Sequence, residues 1–92
     1  MLEYEWHPLK AERNYRKHGV RFADATSVFA DPAAITVQDD CADEERYATI
    51  GHDGAGRLLV VIHTWRGENL VRLISARRAT RAETQTYYVA ES

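Results

Sequence analysis

Arginine side chains that could bind phosphate are concentrated near the end of the chain. Residues 66–81 hold five arginines and a single acid, Glu68. The five are Arg66, Arg72, Arg77, Arg78 and Arg81. The planar guanidinium fork fits the oxygens of a phosphate, but it also forms ion pairs with carboxylates. The residue types therefore leave two interpretations open, a phosphate-binding site and a set of structural ion pairs.

The strand that carries these arginines is expected to divide them between two faces. The apolar run LVRLIS predicts a β-strand over residues 70–76, just before the double arginine. In a regular strand alternate side chains point to opposite faces, so Arg72 and Arg78 would share one face and Arg77 would lie on the other. One face must pack against helices. The arginines can therefore meet in one site only if the strand twists or bulges.

Side chains typical of other kinds of active site are sparse. The four histidines show no paired metal-ligand spacing, and the acidic run DDCADEE around Cys41 disfavours a thiolate nucleophile. The chain has neither a G-x-S-x-G elbow nor a glycine-rich phosphate loop. We therefore expect no metal and no cofactor. Within the acidic run, Glu45 differs because it precedes a strand and adjoins Arg46, so it could orient an arginine or act as a general base.

Composition and charge predict one globular domain spanning residues 1–92. Apolar residues make up 45% and charged residues 28% of the chain, which indicates no disorder. The aliphatic run at residues 58–62 is too short to cross a bilayer, so no membrane association is expected. One cysteine allows no intramolecular disulfide, which favours the cytoplasm. The net charge of −2 argues against general nucleic-acid binding, whereas the local arginine cluster permits an anion site.

Periodicity and turn residues predict an α+β fold. The predicted strands cover residues 2–6, 34–37, 46–52, 58–65 and 70–76. The predicted helices run from Pro8 to a stop at Gly19, over residues 22–29 with Asp31-Pro32 closing the second, and onward from a T-x-x-E capping box formed by Thr80 and Glu83. Short turns join the last three strands, so these should form an antiparallel meander, with helices segregated from it. Residues 38–45 are expected to form a loop.

Two sequence patterns occur near the two ends of the chain. The stretch EWHPLKAERNYRKHGVRF contains the pattern W-x-P-x-K-x-x-x-N-x-x-K-H-G. The stretch VRLISARRATRAETQTYY contains the pattern R-x-I-S-A-R-x-A-x-x-x-E, and ERYATIG lies between the two stretches. In this combination the sequence resembles the BrnT family of toxins from bacterial toxin–antitoxin pairs, a branch of the RelE-like ribonuclease superfamily. The resemblance covers nearly the whole chain and implies a RelE-like α+β fold. His7 replaces a usual aspartate and Arg21 a small hydroxyl residue, and both departures bear on helix capping.

The resemblance also implies a metal-independent endoribonuclease that cleaves mRNA. In such a reaction the 2′-hydroxyl of the substrate attacks the phosphate, and the enzyme supplies a base, an acid and cations for the phosphorane. The cations expected to be catalytic are Arg77 and Arg72. The further RNA- or phosphate-binding residues expected are Arg46, Arg66 and Lys17. The candidates for proton transfer are His18, Glu45 and Tyr87.

Some of these residues also have structural explanations. Lys17 and His18 would lie in the last turn of the first helix, where positive charge suits the helix dipole. Tyr87 could simply pack the last helix against the sheet. Arg78, which would point away from Arg77, carries less weight.

The resemblance further implies a protein partner, a BrnA-type antitoxin with a ribbon-helix-helix DNA-binding part. Such a pair forms a heterotetramer that represses its own promoter, so operator DNA would be contacted only through the antitoxin. Two alternatives stay open. The chain could be a non-catalytic, partner-binding subunit of a repressor complex, which its low net basicity favours. It could also be an unrelated α+β domain whose arginines serve only ion pairs.

Overall fold

The computed structural model of the protein describes residues 1–39 and 45–91. The strands are β1 (Glu3–Glu5), β2 (Ile35–Asp39), β3 (Arg46–His52), β4 (Leu58–Trp65) and β5 (Leu70–Arg78). The helices are α1 (Pro8–His18), α2 (Phe22–Ala25), a 3-10 helix (Thr26–Ala30) and α3 (Arg81–Glu91). One sheet contains all five strands in the order β1-β5-β4-β3-β2. Strands β3 to β5 are antiparallel, as predicted, and β2 also pairs antiparallel with β3. Strand β1 lies parallel to β5. The predicted α+β fold is confirmed.

Both faces of the sheet carry apolar clusters. Helices α1 and α2 cover one side, here called the α1–α2 face. Its buried cluster consists of Val20, Phe22, Ala25, Val28, Leu59, Val61, Val71, Leu73 and Ala76. On the other side, here called the α3 face, Tyr87 of α3 packs in a smaller cluster with Ile50 and Val60. Helix α3 covers its face incompletely, since residues there such as Ala48 and Ile62 are only half-buried.

A β-bulge interrupts β5. Ile62 of β4 pairs with Ser75, whereas the next residue, His63, pairs with Leu73. Ile74 is therefore the extra residue of the bulge. An extra residue in one strand shifts the alternation of side chains from that point onward.

The bulge places Arg72 and Arg77 on the same face of the sheet. They pair with Thr64 and Val60, which lie four residues apart on β4 and so point to the same side, the α3 face. The regular strand predicted from the sequence set these two arginines on opposite faces, and this prediction is wrong because of the extra residue. Alternation resumes beyond the bulge, so Arg78 points away from Arg77, as predicted.

Helix α1 has well-defined ends. Pro8 occupies the first turn, and the ring Nδ1 of His7 accepts a hydrogen bond of 3.1 Å from the backbone N–H of Leu9. The histidine thus caps the helix in place of an aspartate. Gly19 ends the helix in the left-handed conformation, with φ of 71°, as its position predicted. Arg21 makes no capping bond to α2 and instead lies 4.0 Å from the centre of the Tyr15 ring.

The buried side chain of Asn14 attaches α1 to β5. Its Nδ2 donates hydrogen bonds to the carbonyl groups of Ala76, at 2.8 Å, and Val20, at 2.9 Å. Its Oδ1 accepts a bond of 3.0 Å from the backbone N–H of Ala76. Strand β1 pairs with β5 only as far as Arg72. The amide of Asn14 therefore takes the place that a strand neighbour would have beside Ala76.

Several predicted boundaries need correction. The second helix is α-helical for one turn and continues as a 3-10 helix, whose end at Asp31 agrees with the prediction. Strand β2 extends to Asp39, so the first two residues of the predicted loop belong to the strand. Residues 40–44 of the predicted loop, including Cys41, lie outside the described residues. Strand β5 extends to Arg78 because Arg77 and Arg78 still pair with β4. No described helix is long and apolar enough to cross a membrane.

His63 is an ionisable group inside the core. It is fully buried, and its Nε2 forms a hydrogen bond of 2.8 Å with the hydroxyl of Thr49. That hydroxyl in turn contacts the hydroxyl of Thr36 at 2.7 Å. Among the described residues, the Nδ1 of His63 has no partner. Burial therefore lowers the pKa of His63 to about 4, because a proton on Nδ1 would put an unpaired charge in an apolar site.

Replacing Asn14 by alanine should destabilise the protein. The substitution removes three hydrogen bonds and leaves the backbone groups of Ala76 buried without partners, which costs about 2–3 kcal/mol. The free energy of unfolding, measured by urea denaturation, checks this value. Arg16→Gln is the matched control on the same helix, because it removes only the exposed ion pair between Arg16 and Glu12. An equal loss in both variants would contradict the role assigned to Asn14.

His63 should make the fold sensitive to mild acid. The unfolded chain takes up a proton below pH 6.5, whereas the folded chain excludes it down to about pH 4. Stability is therefore lost as the pH falls through this window, by up to about 1.4 kcal/mol per pH unit and about 3 kcal/mol in all. Urea denaturation at a series of pH values measures the slope. In His63→Gln the slope should flatten between pH 6.5 and 4, and an unchanged slope would refute this cause.

Candidate phosphate-binding site

Three arginines expected to bind phosphate lie on the α3 face. Arg77 and Arg72 share it because of the bulge, and Arg46 shares it because it lies four residues before Ile50 on β3. The β4 partners of Arg77 and Arg72 are four residues apart, so the two backbone positions are separated by roughly 13 Å. Their guanidinium groups bind different carboxylates, Glu5 for Arg72 and Glu83 for Arg77. The α3 face thus brings together residues from two strands.

The guanidinium group of Arg77 is held by a carboxylate of α3. Its two terminal nitrogens donate to the two oxygens of Glu83 at 2.7 and 2.8 Å. Glu83 also accepts a bond of 2.8 Å from the backbone N–H of Thr80, and the hydroxyl of Thr80 accepts one from the N–H of Glu83 at 3.2 Å. This confirms the predicted capping box. Glu83 therefore both caps α3 and orients Arg77.

The hydrogen bonds to Glu83 determine its charge. The bonds from Arg77, followed by those from Thr80, lower the pKa of Glu83 to about 2 against the opposing effect of burial. The same pairing raises the pKa of Arg77. Glu83 is consequently ionised throughout the physiological pH range, and its carboxylate keeps both hydrogen bonds to the guanidinium group of Arg77.

Arg72 is paired with the first strand. Its guanidinium donates to a carboxylate oxygen of Glu5 at 2.6 Å, and both side chains are about one-third exposed. The contact follows from the parallel pairing of β1 and β5, in which Glu5 lies beside Arg72. Glu5 was not among the residues selected from the sequence, because a parallel contact between the two ends of the chain leaves no local pattern.

A groove with a cavity volume of about 220 Å³ lies where α1 meets the bulge of β5. Its lining consists of Lys10, Arg13, Asn14, Lys17, His18, Ile74 and Ser75. The two residues from β5 lie between Arg72 and Arg77 in the chain, and Ser75 pairs with Ile62 on the α3 face. The groove therefore adjoins the stretch that carries both arginines. Of the expected site residues, the groove lining contains Lys17 and His18.

Two residues in the groove were not selected as site residues from the sequence. Lys10 and Arg13 are exposed on α1 and line the groove together with Lys17. Their spacing of three and four residues is the signal that could have identified them, since such residues share one side of a helix.

Tyr87 has a structural environment. It is almost fully buried, and its hydroxyl donates to a carboxylate oxygen of Asp31 at 2.7 Å and lies 3.2 Å from Nδ1 of His52. The backbone N–H of His52 also donates to Asp31, at 2.8 Å. Burial favours the protonated acid, but the bonds from His52, Tyr87 and Ala33 outweigh it and hold the pKa of Asp31 below its usual value. These contacts fasten α3 to the sheet.

Glu45 and Arg66 lie away from the groove lining. The carboxylate of Glu45 accepts a bond of 3.4 Å from the hydroxyl of Tyr47, and its backbone carbonyl accepts one of 2.8 Å from Thr64. Thr64 pairs with Arg72, so Glu45 lies at the Arg72 end of the α3 face. Arg66 is exposed in the turn between β4 and β5. Among the described residues, no group of three or more acidic, histidine or cysteine side chains could hold a metal ion.

The family profile described as "Ribonuclease toxin, BrnT, of type II toxin-antitoxin system" matches residues 6–83. The chain belongs to the BrnT family of ribonuclease toxins. A crystal structure of the Brucella abortus ribonuclease toxin BrnT superposes with a TM-score of 0.70 at 24% identity, covering 88% of this chain and 100% of that one. This likeness supports the BrnT fold. No curated protein sequence is significantly similar to the chain. As a type II toxin family member, it has an antitoxin as its partner.

The coupling between Arg77 and Glu83 can be measured directly in this BrnT family member. The carboxyl carbon of Glu83, followed by NMR through an acid titration, should titrate near pH 2. In Arg77→Ala the midpoint should rise toward the ordinary value of 4.5 without reaching it, because the bonds from Thr80 persist. The stability contributed by the pair is present above pH 4.5 and is lost as the pH falls through 2. A midpoint that does not move would show that Arg77 does not hold this carboxylate.

Proposed function

We propose that the protein is an endoribonuclease toxin that cleaves mRNA without a metal ion, with Arg77 and Arg72 as its catalytic cations. The observation that carries the proposal is that these two arginines lie on one face of the sheet, with a basic groove at the bulge between them. RNA phosphates need cations of this kind, and the planar fork of arginine suits them. Membership of a ribonuclease family supports the same reaction class.

In the proposed reaction the 2′-hydroxyl of the substrate attacks the adjacent phosphorus, and the 5′-oxygen of the next nucleotide leaves. Arg77 stabilises the charge that develops on the non-bridging oxygens of the phosphorane. Its pairing with Glu83 uses two of the five N–H donors of a guanidinium group, and a bond of 3.2 Å to the backbone carbonyl of Arg78 uses a third. Two donors are left for the phosphate. Glu83 thus acts as a positioning residue that fixes the orientation of Arg77 before RNA binds.

Proton transfer is assigned first to His18. Its half-buried ring lines the groove beside Ser75, and an imidazole can accept or donate a proton near neutral pH. Glu45 is the second candidate, at the Arg72 end of the α3 face. Tyr87 is assigned a positioning role, because its hydroxyl already donates to Asp31 and its ring packs α3 against the sheet.

Further phosphate contacts are assigned to Arg46, Lys17 and Arg66. Arg46 lies on the α3 face with the two catalytic arginines, and Lys17 lines the groove. Arg66, in the turn before β5, would meet RNA only beyond the Arg72 end of the face. We further propose that the antitoxin is of the BrnA type, with a ribbon-helix-helix part through which the complex contacts operator DNA in the cytoplasm.

The second candidate function is that of a non-catalytic subunit of a toxin–antitoxin-like repressor. The observation that favours it is that Arg72 and Arg77 are already paired with Glu5 and Glu83, as structural arginines are. In a catalytic site, RNA would have to share the two arginines with these carboxylates or displace the carboxylates. The two functions differ in what the isolated chain does to RNA.

Expression of the chain without its antitoxin should stop bacterial growth and degrade mRNA. Arg77→Ala should relieve the arrest and reduce the cleavage rate roughly 100- to 1,000-fold, the usual effect of losing a group that stabilises an oxyanion. Growth curves, and cleavage of a defined transcript by the purified chain, measure both effects. Circular dichroism verifies that the fold is intact.

Arg78→Ala is the matched control. Arg78 adjoins Arg77 but points to the opposite face of the sheet, so its loss should leave toxicity and cleavage nearly unchanged. If the wild-type chain is harmless and leaves RNA whole, the ribonuclease proposal fails and the repressor subunit stands. If Arg77→Ala and Arg78→Ala behave alike, the assignment of Arg77 fails.

A further inference from the structure

Three cations form a stripe along α1 that is defined by Lys10, Arg13 and Lys17. All three are exposed and line the groove at the β5 bulge. Within the described part of the chain, none of them has an ion-pair partner. In contrast, Arg16 on the same helix pairs with Glu12 at 2.6 Å and is not among the groove-lining residues. Among the described residues, the cations of α1 without an ion-pair partner are thus those that line the groove.

The position of Lys10 gives a second reason to look for a ligand. It lies in the first turn of α1, which contains no acidic residue. The amino-terminal end of a helix carries partial positive charge, so a cation there is unfavourable for stability. Lys17, in the last turn, is favoured by the same dipole, so its presence alone would need no ligand. The dipole thus explains one end of the stripe but not the other.

We propose that the Lys10–Arg13–Lys17 stripe binds the phosphate backbone of single-stranded RNA next to the nucleotide that is cleaved. The proposal rests on the proposed function and adds to it two residues, Lys10 and Arg13, that guide the substrate. The observation that supports the proposal is that the stripe is continuous with the candidate site. The stripe, His18 and Ser75 line one groove, so RNA that reaches the α3 face at Ser75 passes along α1.

The arrangement of the stripe suits a repeating anion. Residues three and four apart recur about once per helical turn, roughly every 5.4 Å, so the helix offers one cation per turn along the groove. Besides the three cations, the groove is lined by Asn14, His18, Ile74 and Ser75. A site of this kind contacts phosphates and does not read bases, so it should bind RNA with little sequence preference.

The test measures binding separately from cleavage. The probe is a fluorescent 2′-O-methyl RNA oligonucleotide, which lacks the attacking hydroxyl and cannot be cleaved by the proposed reaction. Its affinity for the full chain is measured by anisotropy over a series of salt concentrations. In Lys10→Gln and Arg13→Gln the affinity should fall roughly 2- to 5-fold for each cation removed, the range of exposed ion pairs. The slope of log affinity against log salt should fall by about 0.7 for each.

Arg16→Gln is the control, with the same loss of charge on the same helix. It should leave the salt slope unchanged, because Arg16 does not line the groove. Equal losses in all three variants would overturn the proposal, since they would reflect net charge alone. All three residues are exposed on α1, and thermal melting of each variant confirms that it is folded.

The outcome also separates this proposal from the proposed function. If Lys10→Gln and Arg13→Gln keep the wild-type slope while the chain cleaves ordinary RNA, the stripe is refuted and the ribonuclease stands. If the slope falls as expected but ordinary RNA stays whole, the stripe stands and the ribonuclease is refuted. If the two variants weaken antitoxin binding and leave RNA binding unchanged, the stripe belongs to the antitoxin interface and the proposal is overturned.

Discussion

The candidate site depends on the side-chain amide of Asn14. Backbone groups at the edge of a buried strand need hydrogen-bond partners, and within the described chain β1 accompanies β5 only as far as Arg72. Asn14 supplies both a donor and an acceptor to Ala76 and so holds α1 against the strand edge. One wall of the groove is α1 and the other is β5. A single amide therefore joins the helix that carries His18 to the strand that carries the arginines.

The bulge at Ile74 reconciles two demands on β5. Leu73 and Ala76 must both face the α1–α2 cluster, although they are three residues apart and a regular strand would separate them. The extra residue lets both be buried and, by the same shift, turns Arg72 and Arg77 to the opposite face. The shift that lets the core pack therefore also places both arginines on one face. Bulges are often found next to functional sites, and this one lies at the groove.

Both arginines of β5 on the α3 face pair with carboxylates from other elements. Glu5 and Glu83 neutralise Arg72 and Arg77 and fix their orientation. The two interpretations left open by the sequence, ion pairs and a phosphate site, are therefore compatible. The partner of Arg77 was within reach of sequence reasoning, because Glu83 lies six residues away in a recognisable capping box. Glu5 was not, because it lies 67 residues away.

The sequence by itself determined the features that depend on neighbouring residues. Pro8 and Gly19 set the ends of α1, the capping box began α3, the turns ordered the antiparallel strands, and the paired motifs identified the family. Local chain stiffness, capping bonds and alternation act over a few residues, so they can be read in order along the chain.

Only the tertiary structure decided which of the candidate residues meet. The parallel contact of β1, the bulge at Ile74 and the bond from Asn14 to Ala76 join residues far apart in the chain, 62 positions in the last case. Their energies come from closing the core and satisfying buried backbone groups, which depend on all the elements together. For this reason the sequence located the arginines in one stretch of the chain but assigned Arg72 and Arg77 to opposite faces.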